Sequence, residues 1–127
     1  MPLSVLVVED RPEIARVLAY LVVADDRLSL AGIATDGVEA LEHSERDCAD
    51  AIICDVQMPR MDGIEALPLL RKACPDSVIV MYSSDPETAK AGRELGADAV
   101  VDKADDPASL IELLVALCGA RSAKACA

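Results

Sequence analysis

The sequence predicts an α/β fold: a five-stranded parallel sheet, doubly wound, with helices on both faces. Three observations carry the prediction. Short aliphatic runs alternate five times with segments of helical pattern, and only short connections separate them. The 127 residues are 53% hydrophobic, enough to fill the core of one domain. Only 2% are aromatic, with two Tyr and no Phe or Trp, so that core has to be aliphatic.

The strands come first. Leu3–Val8 is a continuous apolar run, the pattern of a strand buried on both faces. Leu28–Ala34 is more interrupted and holds Gly32. Residues 51–54, 78–82 and 99–101 complete the five. The helices between them carry start and stop signals. Pro12 suits a first helical position, and Ile14, Val17, Leu18 and Leu21 follow at helical spacing. Asp36 with Glu39, and Asp62 with Glu65, resemble capping boxes. Pro86 and Pro107 each follow an Asp, which reads as a cap and a first turn. Gly96 and Gly119 are placed to stop helices. Pro68 falls inside the third helix, where a kink is expected and the apolar face is expected to hold the helix together.

Charge and composition exclude several classes. The net charge is −11, with a pI near 4.3. Nucleic acid and anionic membrane surfaces both demand clustered Lys and Arg, so neither is an expected partner of this domain. No apolar run approaches a membrane span, and Met1-Pro2-Leu3 lacks the basic start of a secretory signal, which makes the expected location cytoplasmic. The five Cys, at positions 48, 54, 74, 118 and 126, are odd in number and form no CxxC. They read as reduced thiols, mostly small core residues, rather than a disulfide framework or zinc site. No repeat or second domain is visible.

The residues that bear chemistry follow the strands. Glu9 and Asp10 follow the first, Asp55 the third, Ser83 and Ser84 the fourth, and Lys103 the fifth. In a parallel sheet these ends share one edge, where ligands of such folds bind. Three carboxylates cannot share a cleft ionised and unpaired; a pKa rises or a cation enters. Oxygen ligands of this kind suit Mg²⁺. A divalent cation, an ammonium and a hydroxyl together make a receptor for a phosphoryl group, and a carboxylate can itself be the nucleophile. The constellation therefore reads as a phospho-aspartate site.

The sequence resembles a response-regulator receiver domain of two-component signalling. The resemblance rests on Val5-Leu6-Val7-Val8-Glu9-Asp10, on Asp55-Val56-Gln57-Met58-Pro59-Arg60-Met61-Asp62-Gly63, on Met81-Tyr82-Ser83-Ser84, and on Gly96-Ala97-Asp98-Ala99-Val100-Val101-Asp102-Lys103. It implies a flavodoxin-like strand order of 2-1-3-4-5. The receiver is expected over residues 1–119; residues 120–127 are small and polar and are expected to be a frayed tail or the start of a linker. Asp55 would accept a phosphoryl group from a sensor histidine kinase or phosphotransfer protein. Asp10, Asp55 and the Gln57 backbone carbonyl would ligate Mg²⁺, with Glu9 reaching it through water. Lys103 would bind the phosphoryl oxygens and Ser83 would be the switch hydroxyl. The module would be a conformational switch rather than a metabolic enzyme. Gln57 also argues against a dehalogenase-type phosphatase or a cobalamin module, which want Asp or His there.

Two positions depart from that family. Val100 stands where an aromatic usually swings inward with the hydroxyl, and Ala104 follows Lys103 where the family usually has a proline in cis linkage. A cis bond before a non-proline residue costs about 2.5–4 kcal/mol, so trans is expected. The alternative reading is a degenerate receiver, a phosphorylation-independent interaction domain. Elsewhere, Asp62 is expected as a cap, His43 as a solvated helix residue, Met58 and Met61 as packing for the loop, and Tyr20 and Tyr82 as partly buried fillers. The last helix carries Leu110, Ile111, Leu113, Leu114, Val115 and Leu117, more apolar surface than one face needs. Leu114 or Val115 is therefore expected at the surface, with a homodimer as one use for it. The output is either protein contact alone or an attached DNA-binding domain.

Overall fold

A computed structural model describes residues 2–126. Strands and helices alternate as β1 (Leu3–Val8), α1 (Pro12–Ala24), β2 (Leu28–Ala34), α2 (Gly37–Arg46), β3 (Ala51–Asp55), α3 (Gly63–Ala73), β4 (Val78–Ser83), α4 (Pro86–Glu94), β5 (Ala99–Asp102) and α5 (Pro107–Cys126). All strand pairs are parallel, in the order β2-β1-β3-β4-β5. This is the expected flavodoxin-like sheet.

The sheet sorts its residues by the two-residue period of a strand. Val5, Val7, Ile53, Val80 and Tyr82 face one way, against Leu18 and Val22 of α1 and Leu110 and Leu114 of α5. Leu6, Val8, Ile52, Cys54, Ile79 and Met81 face the other way, against Ala40 of α2 and Ala66, Leu67 and Leu70 of α3. Each fully buried Val, Leu or Ile contributes about 1.5–3 kcal/mol of transfer free energy. The strands β1, β3 and β4 are buried on both faces, so they anchor the sheet. Edge strand β2 exposes Ile33 and is irregular: its pairing with β1 shifts register between Val5 and Leu6, beside Gly32.

The end signals act as read. Asp36 accepts a hydrogen bond from the Glu39 N–H and Asp62 from the Glu65 N–H, both at 2.9 Å. Pro12, Pro86 and Pro107 open their helices. Gly96 follows α4 with φ of +113°, the left-handed region that favours glycine. The third helix continues through Pro68, which faces solvent while Ala66, Leu67 and Leu70 bury the opposite side.

Several expectations are corrected. Gly119 does not stop α5, which runs on to Cys126; Ala127 lies outside the described residues. Val17 points outward at 49% exposure, because Ala15, Leu18 and Val22 form the buried stripe of α1 instead. Tyr20 is 72% exposed, whereas Tyr82 is buried. Leu114 is fully buried and Val115 half-buried, because α5 packs Leu110, Ile111, Leu114 and Cys118 onto the sheet. Leu113, Val115 and Leu117 are half-buried and pack against the same cluster. His43 is half-buried rather than solvated: a Cβ at Gly32 would lie 3.3 Å from its Nε2, so the glycine makes room for the ring. Finally, Cys48 and Cys74 are joined by a disulfide. Helices α2 and α3 lie side by side on one face, and their exits bring the two Cα atoms to 5.7 Å, inside disulfide range. Cys54 and Cys118 are buried.

Among the described residues no helix is long and apolar enough to cross a membrane.

Candidate functional site

The carboxyl ends of four strands deliver the expected residues to one cleft. Its volume is about 660 Å³, and Asp10, Asp55, Gln57, Met58, Ser83, Ser84 and Lys103 line it with Arg11 and Ile14. Backbone hydrogen bonds fix the rim. The Glu9 N–H donates to the Ala34 carbonyl at 2.9 Å, and the Lys103 N–H donates to the Ser83 carbonyl at 3.1 Å. The end of β1 is thus tied to β2, and the end of β5 to β4.

Lys103 Nζ stands 2.9 Å from Asp55 Oδ1 and 3.3 Å from Glu9 Oε1. Glu9, Asp10 and Asp55 each offer a carboxylate oxygen, all within 4.8 Å of one another. Glu9 is 1% exposed and Asp55 5%, and Asp10 is half-buried. One ammonium faces three carboxyl groups, so the cleft is short of positive charge. The strain shows at Glu9. Burial pushes its carboxyl well above the ordinary range, and the hydrogen bond and repulsion from Asp55 push the same way, against the pull of Lys103. Burial works against the Lys103 ammonium too, but Asp55 and Glu9 outweigh it and leave its pKa raised. Glu9 Oε2 is buried without a hydrogen-bond partner. An all-oxygen donor set with an orphaned carboxylate oxygen fits a hard divalent cation.

Ser83 is 5% exposed at the cleft wall. Its Oγ accepts from the Asp85 N–H at 3.0 Å and donates to the Asp85 carbonyl at 3.3 Å. Asp85 in turn caps α4 through the Glu87 N–H. The hydroxyl therefore links the cleft to the start of that helix. The Lys103–Ala104 bond is trans, as expected; no peptide bond among the described residues is cis. Val100 is half-buried against the Leu6 and Met81 layer, in register with Met81 of β4.

The loop after β3 is held from two sides. Gly63 N–H donates to the Val56 carbonyl at 2.7 Å, and a Cβ at Gly63 would overlap the Asp55 carbonyl oxygen, so only glycine lets α3 start here. Arg60, at a φ of 62°, sends its Nε to Asp36 Oδ2 at 2.6 Å, and the Gly37 N–H donates to the Met61 carbonyl at 2.9 Å. The loop carrying Gln57 is thereby strapped to the start of α2. Met58 and Met61 pack that loop onto the core, as expected. Asp62 caps α3 and stands outside the cleft lining.

Arg11 and Ile14 also line the cleft because they neighbour the end of β1, and no motif marked either of them for the site. The strap from Arg60 to Asp36 was equally silent, since 24 positions separate its partners.

Comparison with known proteins agrees with the geometry. The family model described as response regulator receiver domain matches residues 5–115. The chain is 40% identical over 111 residues to protein-glutamate methylesterase/protein-glutamine glutaminase 4 of Myxococcus xanthus, covering 85% of this chain and 31% of that protein. It thus spans less than a third of the length of that relative. Among solved structures, the response regulator domain of Thermotoga maritima CheB matches with a TM-score of 0.77 and 27% identity, over 96% of this chain and 95% of that one. A CheY-like receiver domain protein from Methanospirillum hungatei superposes with a TM-score of 0.90 at 21% identity, over 98% and 99% of the two chains, which bears on the fold alone.

Proposed function

The chain belongs to the response regulator receiver domain family of two-component signalling, and on that premise we propose that Asp55 is its phosphoacceptor. The observation that carries the proposal is the pairing of the Asp55 carboxylate with Lys103 Nζ at 2.9 Å, at the mouth of an acidic cleft. A Asp55 oxygen attacks the phosphorus of a phosphohistidine on a sensor histidine kinase or phosphotransfer protein. The P–N bond breaks, the imidazole leaves, and an acyl phosphate forms on Asp55. Lys103 neutralises phosphoryl oxygens as charge develops on them. Asp10, Asp55 and the Gln57 carbonyl are the proposed Mg²⁺ ligands, with Glu9 behind them. Bound Mg²⁺ supplies the positive charge that one lysine cannot.

Ser83 is the proposed switch hydroxyl. Turning toward the phosphoryl group costs it the two contacts with Asp85, so the change is transmitted to the cap of α4. Val100 is too short to follow as an aromatic would, so the readout passes through that cap. Residues 1–119 are the proposed receiver, placed in the cytoplasm and acting by protein contact rather than metabolic turnover. For this chain only the regulatory step is proposed, since the methylesterase relatives are matched over under a third of their length.

The test is incubation with acetyl phosphate and Mg²⁺, followed by intact mass. The expected result is one phosphoryl adduct that disappears in Asp55→Asn. No adduct, or an adduct that persists in the variant, overturns the reading. Val100 and Ala104 favour the second reading, a phosphorylation-independent interaction domain, which predicts partner binding unchanged by Asp55→Asn.

A further inference from the structure

We propose that Cys48 and Cys74 are a reversible thiol–disulfide couple, a redox modification site that staples the α2–α3 flank of the Asp55 strand. The two positions differ in access. Cys48 is exposed beyond the end of α2, whereas Cys74 is 1% exposed at the cap of α3. Exchange therefore enters at Cys48. The bridge closes a stretch of chain, 26 positions in separation, that contains β3, Asp55, Gln57 and all of α3. At their other ends the same two helices are joined by the Gly37–Met61 hydrogen bond and the Arg60–Asp36 ion pair. With the bridge closed, the exits of α2 and α3 are tied covalently; with it open, that end keeps packing and the Ser77–Ala49 hydrogen bond. That the couple is reversible rests on the cytoplasmic placement proposed above, because disulfides in a reducing compartment are transient and redox-sensing. Cys54 does not compete. It is buried beside Asp55, and burial with nearby carboxylates pushes its thiol up to about 12.

The oxidant is a low-molecular-weight disulfide. The Cys48 thiolate attacks one of its sulfurs, breaking that S–S bond and releasing one thiolate. Cys74, deprotonated, then attacks Cys48 Sγ of the mixed disulfide and releases the second thiolate. Two protein thiols are oxidised, one small disulfide is reduced to two thiols, and the released thiolates take up the two protons. Reduction reverses the sequence, with a small thiolate attacking Cys48 Sγ and Cys74 leaving.

The experiment equilibrates the chain in glutathione buffers of graded ratio, quenches with acid, alkylates free thiols and maps the peptides by mass. Each sample is also melted. The expected result is a single Cys48–Cys74 linked peptide that grows with oxidised glutathione and is lost to reduced glutathione without denaturant. The melting temperature should be several degrees lower in the reduced form, and Cys48→Ser should lose that redox dependence. Alkylation of both residues at every ratio, a bridge that opens only in denaturant, or a redox-dependent melting shift that survives in Cys48→Ser overturns the proposal. The readouts do not involve the phosphoryl adduct. A chain that forms the linked peptide reversibly but takes no adduct supports the couple and overturns the Asp55 reading alone.

Discussion

Lys103 Nζ lies 2.9 Å from Asp55 Oδ1 and also 3.3 Å from Glu9 Oε1, so one ammonium serves two buried carboxyl groups. The Lys103→Met variant should leave both acids facing each other without a cation. Removing one partner of a largely buried pair costs more than the pair contributes, because the other charge stays desolvated. The variant should lose about 1–3 kcal/mol of stability, read by urea denaturation, and should label poorly with acetyl phosphate. Unchanged stability would show that the cleft relieves its own repulsion by protonation.

The same shortage of positive charge predicts a response to Mg²⁺. A ligand that binds only the folded chain stabilises it by RT ln(1 + [L]/Kd), about 1.4 kcal/mol at ten times Kd. Melting in MgCl₂ should therefore exceed melting in NaCl of matched ionic strength. Asp10→Asn should remove most of the difference. An equal response to the two salts would count against a divalent site.

Asp36 gives a prediction in pH. The hydrogen bond from Arg60 holds its carboxyl below the usual range against the cost of burial, with help from the Glu39 N–H. A carboxyl with a depressed folded pKa contributes stability above its unfolded value, about 3.9. That contribution fades as pH falls from about 5 and is lost through the folded pKa. Asp36→Asn keeps an N-cap but not the charge. The wild-type chain should be the more stable at pH 7, by about 1 kcal/mol or less because Arg60 is mostly solvent-exposed. The gap between the two should narrow as pH falls below about 4 and vanish only once Asp36 is protonated in the folded chain as well, as measured by denaturant midpoints.

Two glycines predict opposite signs for one substitution. Gly63→Ala drives a methyl into the Asp55 carbonyl and should cost at least about 1–3 kcal/mol. Gly119 lies within α5 with nothing within 4 Å of an added Cβ. Gly119→Ala should therefore stabilise by up to about 0.5–1 kcal/mol, the helix propensity difference. Paired thermal melts settle both.

The sheet was legible because its strands are aliphatic runs set off by Asp, Pro and Gly, and because the parallel rule needs only alternation. Asp10, Asp55, Ser83 and Lys103 were legible for a related reason: strand ends sit at predictable places, so linear order becomes proximity without any contact being known. What stayed hidden depends on how helices pack against one another. The Cys48–Cys74 bridge requires the exits of α2 and α3 to meet, and no periodicity encodes that. Leu114 was misplaced because the last helix is apolar nearly all round, so its pattern did not reveal which side turns inward. Val17 shows the reverse error. A spacing that fits a stripe through Ile14, Val17 and Leu21 competes with the stripe through Ala15, Leu18 and Val22, and contact with the sheet selected the second.

The strand order also bears on synthesis. Within this domain β1 is made before the other four strands, yet it ends inside the sheet between β2 and β3. Its second neighbour is not available until residues 51–54 have been made. Until then the run from Leu3 to Val8 has at most β2 beside it and an open apolar edge on the other side, and later closure of non-local parallel pairs is slow. A nascent chain halted before β3 should therefore be the aggregation-prone species, whereas one halted after β4 already encloses β1 on both edges.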